Sequence, residues 1–281
     1  MKVKITSDST CDLSSELVKK YNIDIIPLHL TCLEKVFTDG VDITPAQLFE
    51  MTKDGATCAT SAVSPQEYHD FFSELLKEHE SIVHFTISSS MSCCYQNACL
   101  AAEDLGNIYV IDSENLSTGI GLLVLRACEL AQAGMDAADI KTSIDEMRGL
   151  VDASFVLDTL EYLRRGGRCS AIAALGANLL KLKPCIQVGG GSMSPGKKYS
   201  GALKGAFLRY VKDRLAEPDK IDDSRIFITD SGVSDDIRSA VEEAVLACIP
   251  FKEVYHTQAG CTVSSHCGPN TLGILFMHRK S

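Results

Sequence analysis

The chain has 281 residues, with 27 Lys and Arg against 37 Asp and Glu, for a formal net charge of −10. An apolar share of 45% and a charged share of 23% are ordinary globular values, which exclude disorder and collagen-like repeats. The acidic balance excludes a general nucleic-acid binder, and no apolar run approaches the roughly 18 residues of a membrane span.

The first half alternates strand-like and helix-like segments. Residues 2–7 read as a strand ending in small polar residues, and Asp12 is expected to cap a helix containing Leu13, Leu17 and Val18. Residues 23–30 are strand-like, and Pro45 opens a short helix behind Thr44. The segment 65–79 is amphipathic, with Tyr68, Phe71, Phe72, Leu75 and Leu76 on one side. Strands are predicted over 81–87 and 108–112, around a helix over 95–105; an apolar helix over 119–133 closes at Gly134. Such alternation implies a parallel sheet with helices on its faces.

After Val151 the pattern changes. Residues 154–157, 184–188 and 198–203 read as strands, with the Gly-rich run 189–196 as a hairpin loop between the last two. Residues 225–229, 253–257, 261–265 and 273–278 are further strand candidates, beside a helix over 234–248. The predicted class is α/β in two domains: an N-terminal parallel-sheet α/β/α domain, 1–150, and a C-terminal α+β domain with a mixed sheet, 151–281.

The twelve cysteines show no framework spacing and no CxxC pair. Cys128 and Cys248 sit in apolar contexts, as free buried thiols do, and no basic segment precedes an apolar one at Met1. A reducing, cytoplasmic location is expected. Neither Cys93-Cys94 nor His266-Cys267 has the second half of a zinc site, so no metal or other cofactor is expected.

Small hydroxyl residues recur where strands give way to helices: Ser7 to Thr10, Thr60 to Ser64, Ser88 to Ser92, and Asp112-Ser113 with Ser117-Thr118. In a parallel sheet these ends share one edge, where helix N–H groups can hold an anion, although Ser, Thr and Asp are also plain N-caps. Gly191 to Lys198 nearly spells a P-loop, but Lys198 stands where Ser or Thr is needed, so a hairpin is the better reading. Arg164-Arg165-Gly166-Gly167-Arg168, with Lys181 and Lys183 beyond it, reads equally as a helix C-cap or as a docking turn for an acidic partner or a phosphorylated group. His266 lies in a run of small residues and is expected on a loop after a strand.

Taken in order, these segments resemble the DegV family. The matching stretches are Thr6 to Thr10, Asp39 to Ile43, Thr60-Ser61-x-x-Ser64-Pro65, Ser88-Ser89-x-Met91-Ser92-x-x-Tyr95-Gln96, Asp112-Ser113, Leu160 to Leu163 with Gly166-Gly167-Arg168, Lys183-Pro184, and His266-x-Gly268-Pro269. They span essentially the whole chain. The resemblance implies a long-chain fatty acid buried between two domains and presented to a separate ATP-binding fatty acid kinase subunit, which makes an acyl phosphate. It implies that Thr60, Ser61 and Ser92 bind the carboxylate with His266 near it, that Ser9, Ser64, Cys93 and Ser117 are a possible outer shell, and that Arg168, with Arg165, meets the kinase. No residue of this chain is then a catalytic nucleophile.

Three positions depart from the family pattern. Cys93-Cys94 replaces a usual Gly-Thr, Asp230 stands where histidine is common, and Asn270 replaces a frequent glycine. Roughly fifteen buried methylenes at about 0.8 kcal/mol each would contribute a gross ~12 kcal/mol, before association costs. The carboxylate is the obstacle, and neutral hydroxyl and N–H donors can solvate it without a fixed countercharge. Leu157, Leu160, Leu163, Ile172 and Leu175 are possible tail linings, or plain core. Two rivals remain at this point: a stand-alone enzyme on a small phosphorylated or hydroxylated metabolite with His266 as acid/base, and a lipid-sensing regulator docking through the Arg164 to Arg168 turn.

Overall fold

A computed structural model describes residues 2–167 and 182–280. Four strands form a parallel sheet in the order β2-β1-β6-β7: β1 (Val3–Asp8), β2 (Asp24–Ile26), β6 (Ser81–Thr86) and β7 (Ile108–Asp112). Every residue of β1 is buried, as expected for a strand covered on both faces. A small antiparallel sheet, β4-β3-β5, is built from β3 (His29–Cys32), β4 (Lys35–Thr38) and β5 (Cys58–Ser61). The third sheet has six strands in the order β10-β9-β8-β13-β11-β12, with β8 (Val151–Val156), β9 (Leu182–Gly189), β10 (Ser192–Ser200), β11 (Ile221–Asp230), β12 (Glu253–Gln258) and β13 (Leu272–His278). Its pairs are antiparallel except β11 with β12, which makes it a mixed sheet. The fold is therefore α/β, with a parallel sheet in the first part and a mixed sheet in the second.

Helices fill the layers between and outside the sheets. The outer face of the parallel sheet is covered by α3 (Pro65–Leu75) and α4 (Cys94–Leu105), whose Tyr68, Phe72, Ala98 and Ala101 are buried with Ile82 and Val110. The far face of the mixed sheet carries α8 (Leu203–Arg214) and α9 (Asp235–Cys248), packed through Phe207, Tyr210, Val241 and Val245 onto Ile226, Ile228 and Ile274. Between the sheets lies α5 (Thr118–Gln132), which touches β1 and β6 on one side and β8 and β13 on the other. It is apolar on nearly every side, the pattern of a helix with no solvent face. One buried cluster consequently runs from Val3 and Phe85 through Leu122 and Val124 to Phe227 and Leu275.

Short elements complete the first half: α1 (Ser15–Tyr21), α2 (Pro45–Thr52) and α6 (Ala137–Met147). In the second, α7 (Glu161–Arg165) and α10 (Cys261–Cys267) pack on each other.

Several local expectations are corrected. Asp12 does not cap α1; it takes a left-handed conformation, and Ser14 caps the helix by accepting from the Leu17 N–H. Residues 23–30 are not one strand, because Pro27 separates β2 from β3. The hairpin turn is only Gly190-Gly191, both at positive φ, as a two-residue turn requires, so Ser192 to Pro195 are strand rather than loop. Residues 261–265 form a helix, not a strand, for a tertiary reason given below. Residues 198–203 divide differently, with the strand ending at Ser200 and α8 starting at Leu203. Cys32 and Cys58 form a disulfide between neighbouring β3 and β5, which the sequence spacing did not suggest. Asn270 sits at φ 58°, so it holds a left-handed position that suits Gly or Asn.

Candidate functional site

A slot of about 270 Å³ opens where the three sheets converge on α10. Its walls come from loops after β5 and β6 (Ala62, Ile87, Met91), from Leu116 ahead of α5, and from Phe155, Leu163, Met193 and Leu275 of the second half. Into this apolar surface project the hydroxyls or thiol of Thr60, Ser61, Ser92, Cys93 and Ser117, with His266 from α10. No Lys or Arg is among the described lining residues.

Thr60 Oγ1 lies 3.1 Å from His266 Nε2, within hydrogen-bond distance although 206 residues separate them. The Ser92 hydroxyl accepts from the Cys94 N–H at 3.2 Å and faces Cys94 Sγ at the same distance, which fixes it at the start of α4. Cys93 is exposed on the slot, whereas Cys94 is buried beneath it. Burial pushes the Cys94 thiol up to about 11, so it stays protonated. Ser117 lines the slot at φ 52°, a strained value for serine, and donates to Asp12 Oδ2 at 2.5 Å.

Two expected outer-shell residues lie elsewhere. Ser9 donates to Asp39 Oδ2 at 3.0 Å and accepts from the Leu28 N–H at 3.1 Å. Ser64 forms a capping box with Glu67 at the start of α3. Neither lines the slot. Both belong to its scaffold, because their hydroxyls are committed to backbone groups and carboxylates.

The motif around Asp8 and Asp12 has a structural role that spacing alone did not reveal. Asp39 Oδ1 accepts from the Cys261 N–H at 2.7 Å and Oδ2 from the Thr262 N–H at 3.2 Å, while Asp12 Oδ1 accepts from the Gly260 N–H at 2.8 Å. Carboxyl groups from the first half thus satisfy the orphan N–H groups at the start of α10, Asp39 taking two of them. The run Cys261 to Ser265 has β-branched residues and no cap of its own, so its helicity is imposed from 222 residues away. His266 accordingly sits in the last turn of a helix and not on a loop. Asp8 organises the neighbouring loop, accepting from the N–H groups of Thr10 at 3.0 Å and Ile87 at 2.8 Å. Burial raises the carboxyl of Asp8 to about 6 and that of Asp12 to about 8.

The glycines of the basic turn are explained by close approach. A Cβ on Gly166 would lie 2.1 Å from His266 Nδ1, and one on Gly268 would lie 2.5 Å from the Tyr162 ring. Gly166 follows α7 and Gly167 takes φ 73°, so the turn is a helix C-terminus packed directly on the histidine. Arg165 bonds Glu161 and lies 5.7 Å over the Tyr162 ring. Arg168, Ile172, Leu175 and Lys181 lie outside the described residues. Leu163 lines the slot, while Leu157 packs beside it in the same buried cluster.

Asp230 is the one acidic lining residue among the described residues. Its carboxylate accepts from Gly232 and Val233 N–H groups at 2.8 and 3.0 Å and forms two bonds with Arg238, at 2.6 and 3.1 Å. Its charge is therefore matched from behind the slot wall. Among the described residues, no group of three or more His, Cys, Asp or Glu is arranged to hold a metal ion, and no helix is long and apolar enough to cross a membrane.

The family model described as "Uncharacterised protein, DegV family" matches residues 2–279. A DegV domain-containing protein of Clostridium acetobutylicum is 32% identical over 281 residues, covering 99% of each chain. Among solved structures, a DegV family protein from Thermus thermophilus, described for its fatty acid binding, superposes with a TM-score of 0.91 at 29% identity, covering 99% of this chain and 100% of the other. A stearic acid-binding protein from Eubacterium ventriosum superposes with a TM-score of 0.86 at 26% identity, over 98% of each chain.

Proposed function

The chain belongs to the DegV family, and on that premise we propose that it binds a long-chain fatty acid in the slot between its two domains, 1–150 and 151–281, and presents the carboxylate to a separate kinase subunit. The carboxylate lies against Thr60, Ser61, Ser92 and His266, with Cys93 and Ser117 around it. The tail runs along the apolar wall formed by Ile87, Met91, Phe155, Met193 and Leu275.

The carrying observation is the slot's composition: apolar walls, neutral hydroxyl donors gathered with one histidine, and no lysine or arginine among the described lining residues. Such a site favours burial of hydrocarbon and solvates a single negative head group by dipoles. A soluble polar metabolite would need more polar contacts than these walls offer. The fatty acid binding described for the proteins from T. thermophilus and E. ventriosum supports the same reading.

The kinase partner docks on the turn from Arg164 to Arg168, because its glycine Gly166 touches the histidine beside the head group. A carboxylate oxygen then takes the γ-phosphoryl group of the partner's ATP as the β–γ P–O bond breaks and ADP leaves, giving an acyl phosphate, and this chain acts as carrier. Nine free cysteines among the described residues suit the reducing cytoplasm, where the Cys32–Cys58 bond would be the exception.

Native mass spectrometry of protein purified without added lipid tests the reading. The expected result is a co-purifying long-chain fatty acid, released on denaturation. Protein that carries no lipid and takes up none from a palmitic acid dispersion overturns the carrier assignment. Arg168→Ala is expected to keep the lipid and lose acyl-phosphate formation with a kinase subunit.

A further inference from the structure

The polar groups around the slot are not equivalent. Ser154 bonds the Tyr210 hydroxyl at 2.9 Å, Thr229 sits between Thr118 and Thr257 at 2.6 and 2.8 Å, and Thr271 donates to the Cys267 carbonyl at 2.9 Å. Each would have to break a bond to turn toward a ligand. Thr262 differs. It lines the slot, it is only 4% exposed, and its Oγ1 is buried with no hydrogen-bond partner among the described residues. Its backbone is nevertheless held firmly, the N–H by Asp39 and the carbonyl by the Ser265 hydroxyl at 2.8 Å.

A buried hydroxyl without a partner is rare in folded proteins and calls for a use. Thr262 stands one turn before His266, so the two share one face of α10, and both line the slot. Threonine in a helix divides between two χ1 rotamers, and rotation exchanges the hydroxyl with the methyl. Here that rotation sacrifices no existing hydrogen bond.

Resting on the fatty-acid reading above, we propose that Thr262 is a further head-group donor: its hydroxyl turns onto a carboxylate oxygen of the bound fatty acid, on the same face of α10 as His266. The slot thereby distinguishes an oxygen-bearing head from a bare hydrocarbon end, and the unpaired hydroxyl of the empty protein becomes paired on binding.

The test uses the full-length, delipidated protein with palmitic acid as probe, reading both the affinity by displacement titration and the melting temperature without ligand. Thr262→Val keeps the shape and removes the donor; Thr262→Ser keeps the donor. The expected result is a roughly tenfold loss of palmitic acid affinity in the valine variant, recovered by serine, with an unliganded melting temperature equal to or above wild type. An unchanged affinity in Thr262→Val overturns the proposal. So does a parallel fall in affinity and unliganded stability, which marks a packing role. Wild-type protein that binds no palmitic acid overturns the fatty-acid reading itself, and this assignment with it.

Discussion

Thr60, at the end of an edge strand of the first half, meets His266, in the last turn of α10 in the second, across 3.1 Å. Asp39 and Asp12 of the first half cap the helix that carries His266, so this contact depends on both halves of the chain. Replacing Thr60 by valine removes one donor at nearly constant volume. Palmitic acid affinity should fall about tenfold or more, the worth of a hydrogen bond to a charged group, while the melting temperature changes little. Equal binding by wild type and variant in a displacement titration would refute the assignment of Thr60.

Gly166→Ala probes the same histidine from behind. The added methyl would need the space of the His266 ring, so the ring has to move away from Thr60. Affinity for the fatty acid is expected to drop, and the Nε2 resonance of His266 to shift in nitrogen NMR spectra. A variant with normal binding and an unmoved resonance would show that the ring accommodates the methyl without cost to the site.

Asp39→Ala strips the cap from α10. The N–H groups of Cys261 and Thr262 and the hydroxyl of Ser9 lose their acceptor together. A stability loss of about 2 kcal/mol or more is expected in urea unfolding, with Asp39→Asn losing less because one acceptor oxygen remains. If alanine leaves the unfolding midpoint where it was, the cap has no energetic weight.

The buried carboxylates set a pH dependence. Burial holds Asp12 near 8 and Asp8 near 6, so the native state retains protons that the unfolded chain releases from about pH 4 upward. Their contribution to stability is full below that pH and declines as pH rises through those values. His84 acts in the opposite sense: burial lowers it to about 3, so its contribution is full above about pH 6.5 and lost on acidification. Asp12→Asn should therefore flatten the fall in stability between about pH 4 and 8. Wild-type and Asn curves that stay parallel over that range would place the titrating group elsewhere.

The layered fold was legible because its signals are local. Apolar runs on β1, β6 and β7, the amphipathic face with Tyr68 and Phe72, and the all-round apolar character of α5 state burial directly in residue order. The resemblance to the DegV family, rather than any pattern in the residues, singles out Thr60, Ser61, Ser92, Cys93, Ser117 and His266, and all six line one slot. The assignment of Ser9 and Ser64 to the shell could not be separated from capping by pattern alone, since a cap and an anion donor use the same residue types. Helix α10 was illegible for a deeper reason: its capping carboxylate comes from Asp39, so no window of neighbouring residues contains the information. The near-contact of Gly166 with His266 was hidden likewise, although two isolated motifs, a Gly-Gly turn and a His-x-Gly-Pro run, were the trace of it.

Helix α5 leaves little beyond Arg126 and Glu129 to water before its last turn, because the two large sheets each claim one of its flanks. Prising the two sheets apart would bring its leucines and valines into water, so a wholesale hinge opening would forfeit the apolar burial that joins the halves.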